Sequence, residues 1–180
     1  MTTRTRLALG ALAALTLPLA ACGGGDSEEA APDTGETTTS VEAETDAVTL
    51  RGEFAPVPDA PAGAEEIGGV AEQVRTPEGA TVTLTMFGLG PRVDYVAHLH
   101  TSPCDAPDPG GPHFKFDPNG DDMPPNEVHL TFTSDAVGSG FAVTEVDRPL
   151  PDGEALTVVV HEAGGEGDHH EPKLVCAEVG

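Results

Sequence analysis

From Asp46 onward the chain is written in short alternating runs. Ala80-Thr81-Val82-Thr83-Leu84-Thr85-Met86 places Val82, Leu84 and Met86 on one side and three threonines on the other. An extended strand with one buried face uses that period-two pattern, and a helix does not. Val48 to Phe54 alternates in the same way. Further strand candidates are Tyr95 to His100, Glu127 to Thr133, Gly140 to Val146, Ala155 to His161 and Lys173 to Val179, with Ile67 to Val74 a weaker one. Clusters of Gly, Pro and Asp separate them, and no long segment keeps a 3.6-residue period. About eight short strands between turn signals predict an all-β fold. The expected architecture is a Greek-key antiparallel β-sandwich or barrel with long functional loops.

Two segments break the rhythm. Residues 101–126 contain seven prolines, and residues 162–172 are mostly Gly, Glu, Asp and His, including His169 and His170. Loops of this length inside a compact domain are usually functional.

The N-terminal part reads differently. Arg4 and Arg6 precede an apolar run from Leu7 to Leu19. That run is shorter than the roughly 20 residues a spanning helix needs, and it fits the h-region of a signal peptide. It ends in Leu19-Ala20-Ala21-Cys22, which resembles a bacterial lipobox. The expectation is a signal peptide over 1–21 and a lipidated Cys22. The alternative is an ordinary secretory cut near Ala21 that leaves a free thiol. Lipidation also accounts for the odd cysteine count, because three minus one leaves a pair. Residues 23–46 are dominated by Gly, Asp, Glu, Ser, Thr, Ala and Pro, too poor in large apolar side chains to offset the entropy of ordering. They read as an acidic tether holding a domain of residues 47–180 away from a membrane. The chain is thus expected outside the cytoplasm, on the outer face of the bacterial cell membrane.

The formal net charge of −23 argues against nucleic acid as a partner and against electrostatic adhesion to anionic lipid. Membrane attachment falls to the acyl chains on Cys22. Such acidity fits a saline or acidic habitat equally well. The oligomeric state is not legible.

The chemistry-bearing residues lie around the strand Tyr95 to His100. His98 and His100 are two apart and share a face, opposite Ala97 and Leu99, which point into the core. His113 sits on the proline-rich loop in Gly110-Gly111-Pro112-His113-Phe114, placed to fold back over that face. His161 ends the run Val158-Val159-Val160 and projects away from the core side of Val158 and Val160. Four imidazoles suit Cu(II). A His-x-His pair is also an ordinary polar surface pair, and His161 an ordinary strand end.

These motifs, taken together, resemble those of the copper/zinc superoxide dismutases over roughly Val48 to Gly180. The specific elements are His98-Leu99-His100, Gly111-Pro112-His113-Phe114 and Val159-Val160-His161-Glu162. The resemblance implies that His98, His100, His113 and His161 hold copper, that His113 delivers a proton, and that Cys104 and Cys176 form a disulfide. An exported chain meets an oxidising compartment in which such a bond persists. The reading in which both are unpaired buried thiols remains open. Lys173 stands three residues before Cys176, where the family has an arginine that guides the anionic substrate superoxide. The charge is kept and the planar fork is lost.

The zinc half departs from the family. Between His113 and His129 there is no histidine, and the residue three beyond His129 is Phe132, which cannot ligate. His129 is the one candidate for a zinc histidine, with Asp117, Asp121 and Asp122 as oxygen donors by a new route. The simpler reading makes His129 a strand residue and leaves zinc absent or weakly held. This pattern resembles the copper-only members and implies copper-dependent dismutation of superoxide to oxygen and hydrogen peroxide. The alternative is a non-catalytic copper-binding or copper-delivery lipoprotein on the same fold.

Overall fold

The computed structural model describes residues 46–154, 157–164 and 172–180. The expectations for the signal peptide, Cys22, most of the tether, the first two residues of the Ala155 to His161 run, and His169 and His170 lie outside the described residues.

Among the described residues nine strands form two antiparallel sheets, so the fold is an all-β sandwich. In chain order they are β1 (Val48–Glu53), β2 (Ala55–Pro56), β3 (Gly68–Arg75), β4 (Ala80–Phe87), β5 (Asp94–His100), β6 (His129–Thr133), β7 (Gly140–Val146), β8 (Thr157–Glu162) and β9 (Lys173–Glu178). One sheet has the order β1-β3-β4-β7, the other β2-β9-β8-β5-β6. β6 and β7 run side by side at the corner but share no ladder, so the sheets do not close into a barrel. The order β8-β5-β6-β7 across that corner is the Greek-key arrangement, with the fourth strand returning beside the first.

Alternation decides which residues fill the space between the sheets. Val82, Leu84 and Met86 of β4 face Ala97 and Leu99 of β5 and Val158 and Val160 of β8 in one buried cluster. Tyr95 closes one end of it. Its ring stacks on Phe132, with centroids 5.6 Å apart, and its hydroxyl accepts a hydrogen bond from the Gly90 N–H at 2.9 Å. At the other end the Arg75 guanidinium donates to Gln73 Oε1 and to the carbonyls of Pro151 and Glu154. Those bonds satisfy a charged group that burial would otherwise penalise.

The outer face of the five-stranded sheet is not left to water. The loop from Thr101 to Val128 folds back over it. Thr101 and Ser102 donate to the carbonyls of Pro112 and Gly110, and Phe114 N–H donates to the Leu99 carbonyl at 2.8 Å. The Phe114 side chain is buried in the main core, which anchors the return. A disulfide joins Cys104 of this loop to Cys176 of β9. It closes 72 residues of chain and stabilises by about 4 kcal/mol in the chain-entropy account.

Candidate metal centre

Three strands and the loop deliver imidazoles to one place on that covered face. β5 is central, and its His98 is paired with His129 of β6 on one side and Val159 of β8 on the other. His161 of β8 is paired with Val96, two residues before His98. His113 is bridged to His100 through the backbone of the returning loop. One nitrogen from each of His98, His100, His113 and His161 lies within 4.8 Å of the others. Imidazole nitrogens about 2 Å from a common ion sit no more than about 4 Å apart. A contraction of less than about 1 Å would therefore close the four around a metal. The four histidines of the copper expectation are thus brought together.

Outward-facing did not mean exposed. His98, His100 and His161 are 3%, 1% and 4% exposed, because the loop covers them. Burial, followed by the neighbouring imidazoles, holds His98 far below the ordinary histidine range. Burial pushes His100 down to about 3. Both rings are neutral at pH 7, the state a metal requires of a histidine ligand.

The orientation of His100 comes from the loop. Its Nδ1–H donates to the Gly111 carbonyl at 2.9 Å, which leaves Nε2 buried with no hydrogen-bond partner. An acceptor nitrogen stranded among imidazoles fits a transition-metal ion. The Gly111 carbonyl is aimed by backbone that only glycine tolerates easily, φ 74° at Gly110 and 65° at Gly111. A Cβ at Gly110 would stand 2.6 Å from Val159 Cγ2, and one at Gly111 would stand 2.2 Å from Ser102 Oγ.

Lys173 braces the same loop. A bulge between Val160 and His161 sets Lys173 directly opposite His161. Its Nζ donates to Asp108 Oδ1 at 2.5 Å and to the carbonyls of Pro109 and Gly111 at 2.7 and 3.3 Å. The ammonium therefore contacts the carbonyl that orients His100, and Asp108 offsets its charge.

The residue that the sequence reading missed is Glu127. The pattern places it first in a strand, but β6 begins at His129 and Glu127 is turned inward, 3% exposed. His113 Nδ1–H donates to its Oε2 at 2.8 Å, and His129 Nε2–H donates to the same oxygen at 3.0 Å. Glu127 stands before β6 begins, so strand alternation carries no signal that would have found it.

The remaining acidic candidates go elsewhere. Asp117 shapes a turn with Asn119 and Asn126, the Asp121 carbonyl accepts from Asn126, and Asp122 pairs with Lys115. None of them joins the cluster of metal-capable side chains found among the described residues. Arg148 lies over the Phe116 ring, 4.5 Å from its centroid.

Fold and site together define an all-β sandwich with a buried histidine cluster able to hold a metal ion. No protein-family model matches the chain, and no curated protein matches it.

Proposed function

We propose that this chain is a copper-dependent superoxide dismutase of the copper-only kind, exported and held at the outer face of the cell membrane by lipid on Cys22. The observation that carries the reading is the convergence of His98, His100, His113 and His161 on one buried spot. Their sequence contexts are those that made the chain resemble the copper/zinc superoxide dismutases. All-nitrogen donor sets favour Cu(II) over the other common divalent ions.

Those four histidines would hold the ion. Bound copper supplies one-electron exchange between Cu(II) and Cu(I), by which one superoxide is oxidised to oxygen and a second, with two protons, is reduced to hydrogen peroxide. The protein's own part is to fix the ligands and handle protons. Glu127 keeps the proton of His113 on Nδ1, which turns Nε2 toward the cluster. This is the service a second metal performs where His113 has a zinc partner. His129 donates to the same carboxylate oxygen and so restricts where Glu127 can swing. His113 is also the cluster ligand that is not fully buried, which suits its proposed role of passing a proton outward. Zinc is left out of this reading, because Phe132 stands three residues beyond His129 and cannot ligate, and Asp117, Asp121 and Asp122 stay outside the cluster.

A second reading, a copper carrier or store on the same fold, is favoured by one observation. The Lys173 ammonium is already matched by Asp108 and two carbonyls, which weakens its attraction for an anionic substrate. Copper reconstitution followed by metal analysis and a dismutation assay separates the two. One copper per chain with dismutation supports the enzyme. Tight copper without activity supports the carrier, and absence of copper binding removes both.

A further inference from the structure

A metal ion needs a way in, and three of the four ligands are sealed. His98, His100 and His161 are buried, whereas the His113 side chain keeps 16% of its exposure. His113 opens on a groove of about 520 Å³. The charged groups lining that groove are Asp122, Glu127 and Glu154, against the single ammonium of Lys115. Its field, added to that of a chain with net charge −23, attracts cations and repels anions. Lys115 offsets part of this. It pairs with Asp122, and its Nζ is 4.0 Å from Glu127 Oε1. That oxygen is buried and accepts no hydrogen bond, while its companion Oε2 touches His113. A cation moving inward along these carboxylates therefore meets His113 first and the other three histidines behind it.

We propose that this groove is the loading route of the centre. Asp122 and Glu154 steer a divalent transition-metal ion inward, and Glu127 with His113 forms the inner end. The proposal rests on the reading that the four histidines hold copper. It makes Asp122 and Glu154 residues of the path and not of the site. Steering charges act on the entry rate and its salt dependence and leave the exit rate nearly unchanged, whereas ligands act on the exit rate.

Stopped-flow mixing of Cu(II) with the full-length metal-free protein reads the entry rate. The double variant Asp122→Asn/Glu154→Gln should slow bimolecular uptake about fivefold or more at low salt, with the gap closing as salt is raised. Lys115→Gln should speed uptake, because it removes the one opposing charge. In all three proteins the dissociation rate, read by chelator competition, should agree within about twofold. The opposite signs separate steering from general damage to the fold. Unchanged uptake rates in both variants would overturn the route. A dissociation rate raised as much as the uptake rate falls would overturn it too, by making those residues ligands or supports. A wild-type protein that takes up no copper would remove the proposed function itself.

Discussion

Glu127 Oε2 lies 2.8 Å from His113 Nδ1 and 3.0 Å from His129 Nε2, so one carboxylate oxygen takes both imidazoles. Orientation of a ligand by its outer hydrogen-bond partner is worth tenfold to a hundredfold in affinity or rate at comparable sites. Glu127→Gln should therefore lower dismutation by about 10- to 100-fold, with the protein still folded and still able to bind copper. Activity per bound copper within about twofold of wild type would show that the carboxylate is dispensable.

Gly110→Ala tests whether the loop must lie flat on the ligand strand. The substitution forces a side chain into φ 74° and drives its Cβ to 2.6 Å from Val159 Cγ2. A loss of about 2 kcal/mol or more is expected from strain and overpacking together. It should be visible in the urea midpoint, and copper affinity should weaken with it because the Gly111 carbonyl moves. A midpoint unchanged from wild type would contradict the account.

Acid should destabilise the metal-free protein in a defined window. His98 and His100 are held neutral in the fold by burial, His100 down to about 3. In the unfolded chain each titrates near 6.5. Below that value the unfolded state binds protons that the folded state does not, so stability falls as pH falls from about 6.5 toward 3. The slope should approach about 1.4 kcal/mol per pH unit for each ring. Denaturation midpoints at pH 7 and pH 5 read it, and His98→Gln/His100→Gln should flatten the dependence. Equal stability of wild type at the two pH values would refute it.

Most of this fold was legible because alternation is a local signal. β4 and β7 came out close to their observed bounds, since each buries one face and exposes the other. β3 read weakly because Gly68 and Gly69 open it, and β2 was invisible because two residues, one of them Pro56, carry no pattern. The four-histidine set was legible through period two and through family resemblance. Glu127 was not, because its role depends on how a proline-rich loop returns, and that is fixed by Phe114 in a distant core. The burial of the histidines was hidden for the same reason, since the sequence does not say what covers the outer face of a sheet.

Salt should leave dismutation nearly unchanged or raise it. The net charge is −23, and Asp108 already offsets the Lys173 ammonium. Long-range forces on an anion are repulsive, and salt screens them over a Debye length of about 8 Å at physiological strength. Rate constants measured from low to physiological ionic strength decide the point. A steep fall with added salt would signal attractive steering and contradict this.

The central claim is that the four histidines form one copper centre that turns over superoxide. Its most direct test is dismutation measured as copper is titrated into metal-free wild type and His161→Ala. The account predicts activity that rises linearly to one copper per chain and then stops, with His161→Ala losing tight binding and activity together. A wild-type protein that fills with one tightly bound copper and shows no dismutation beyond that of the metal-free protein would contradict it.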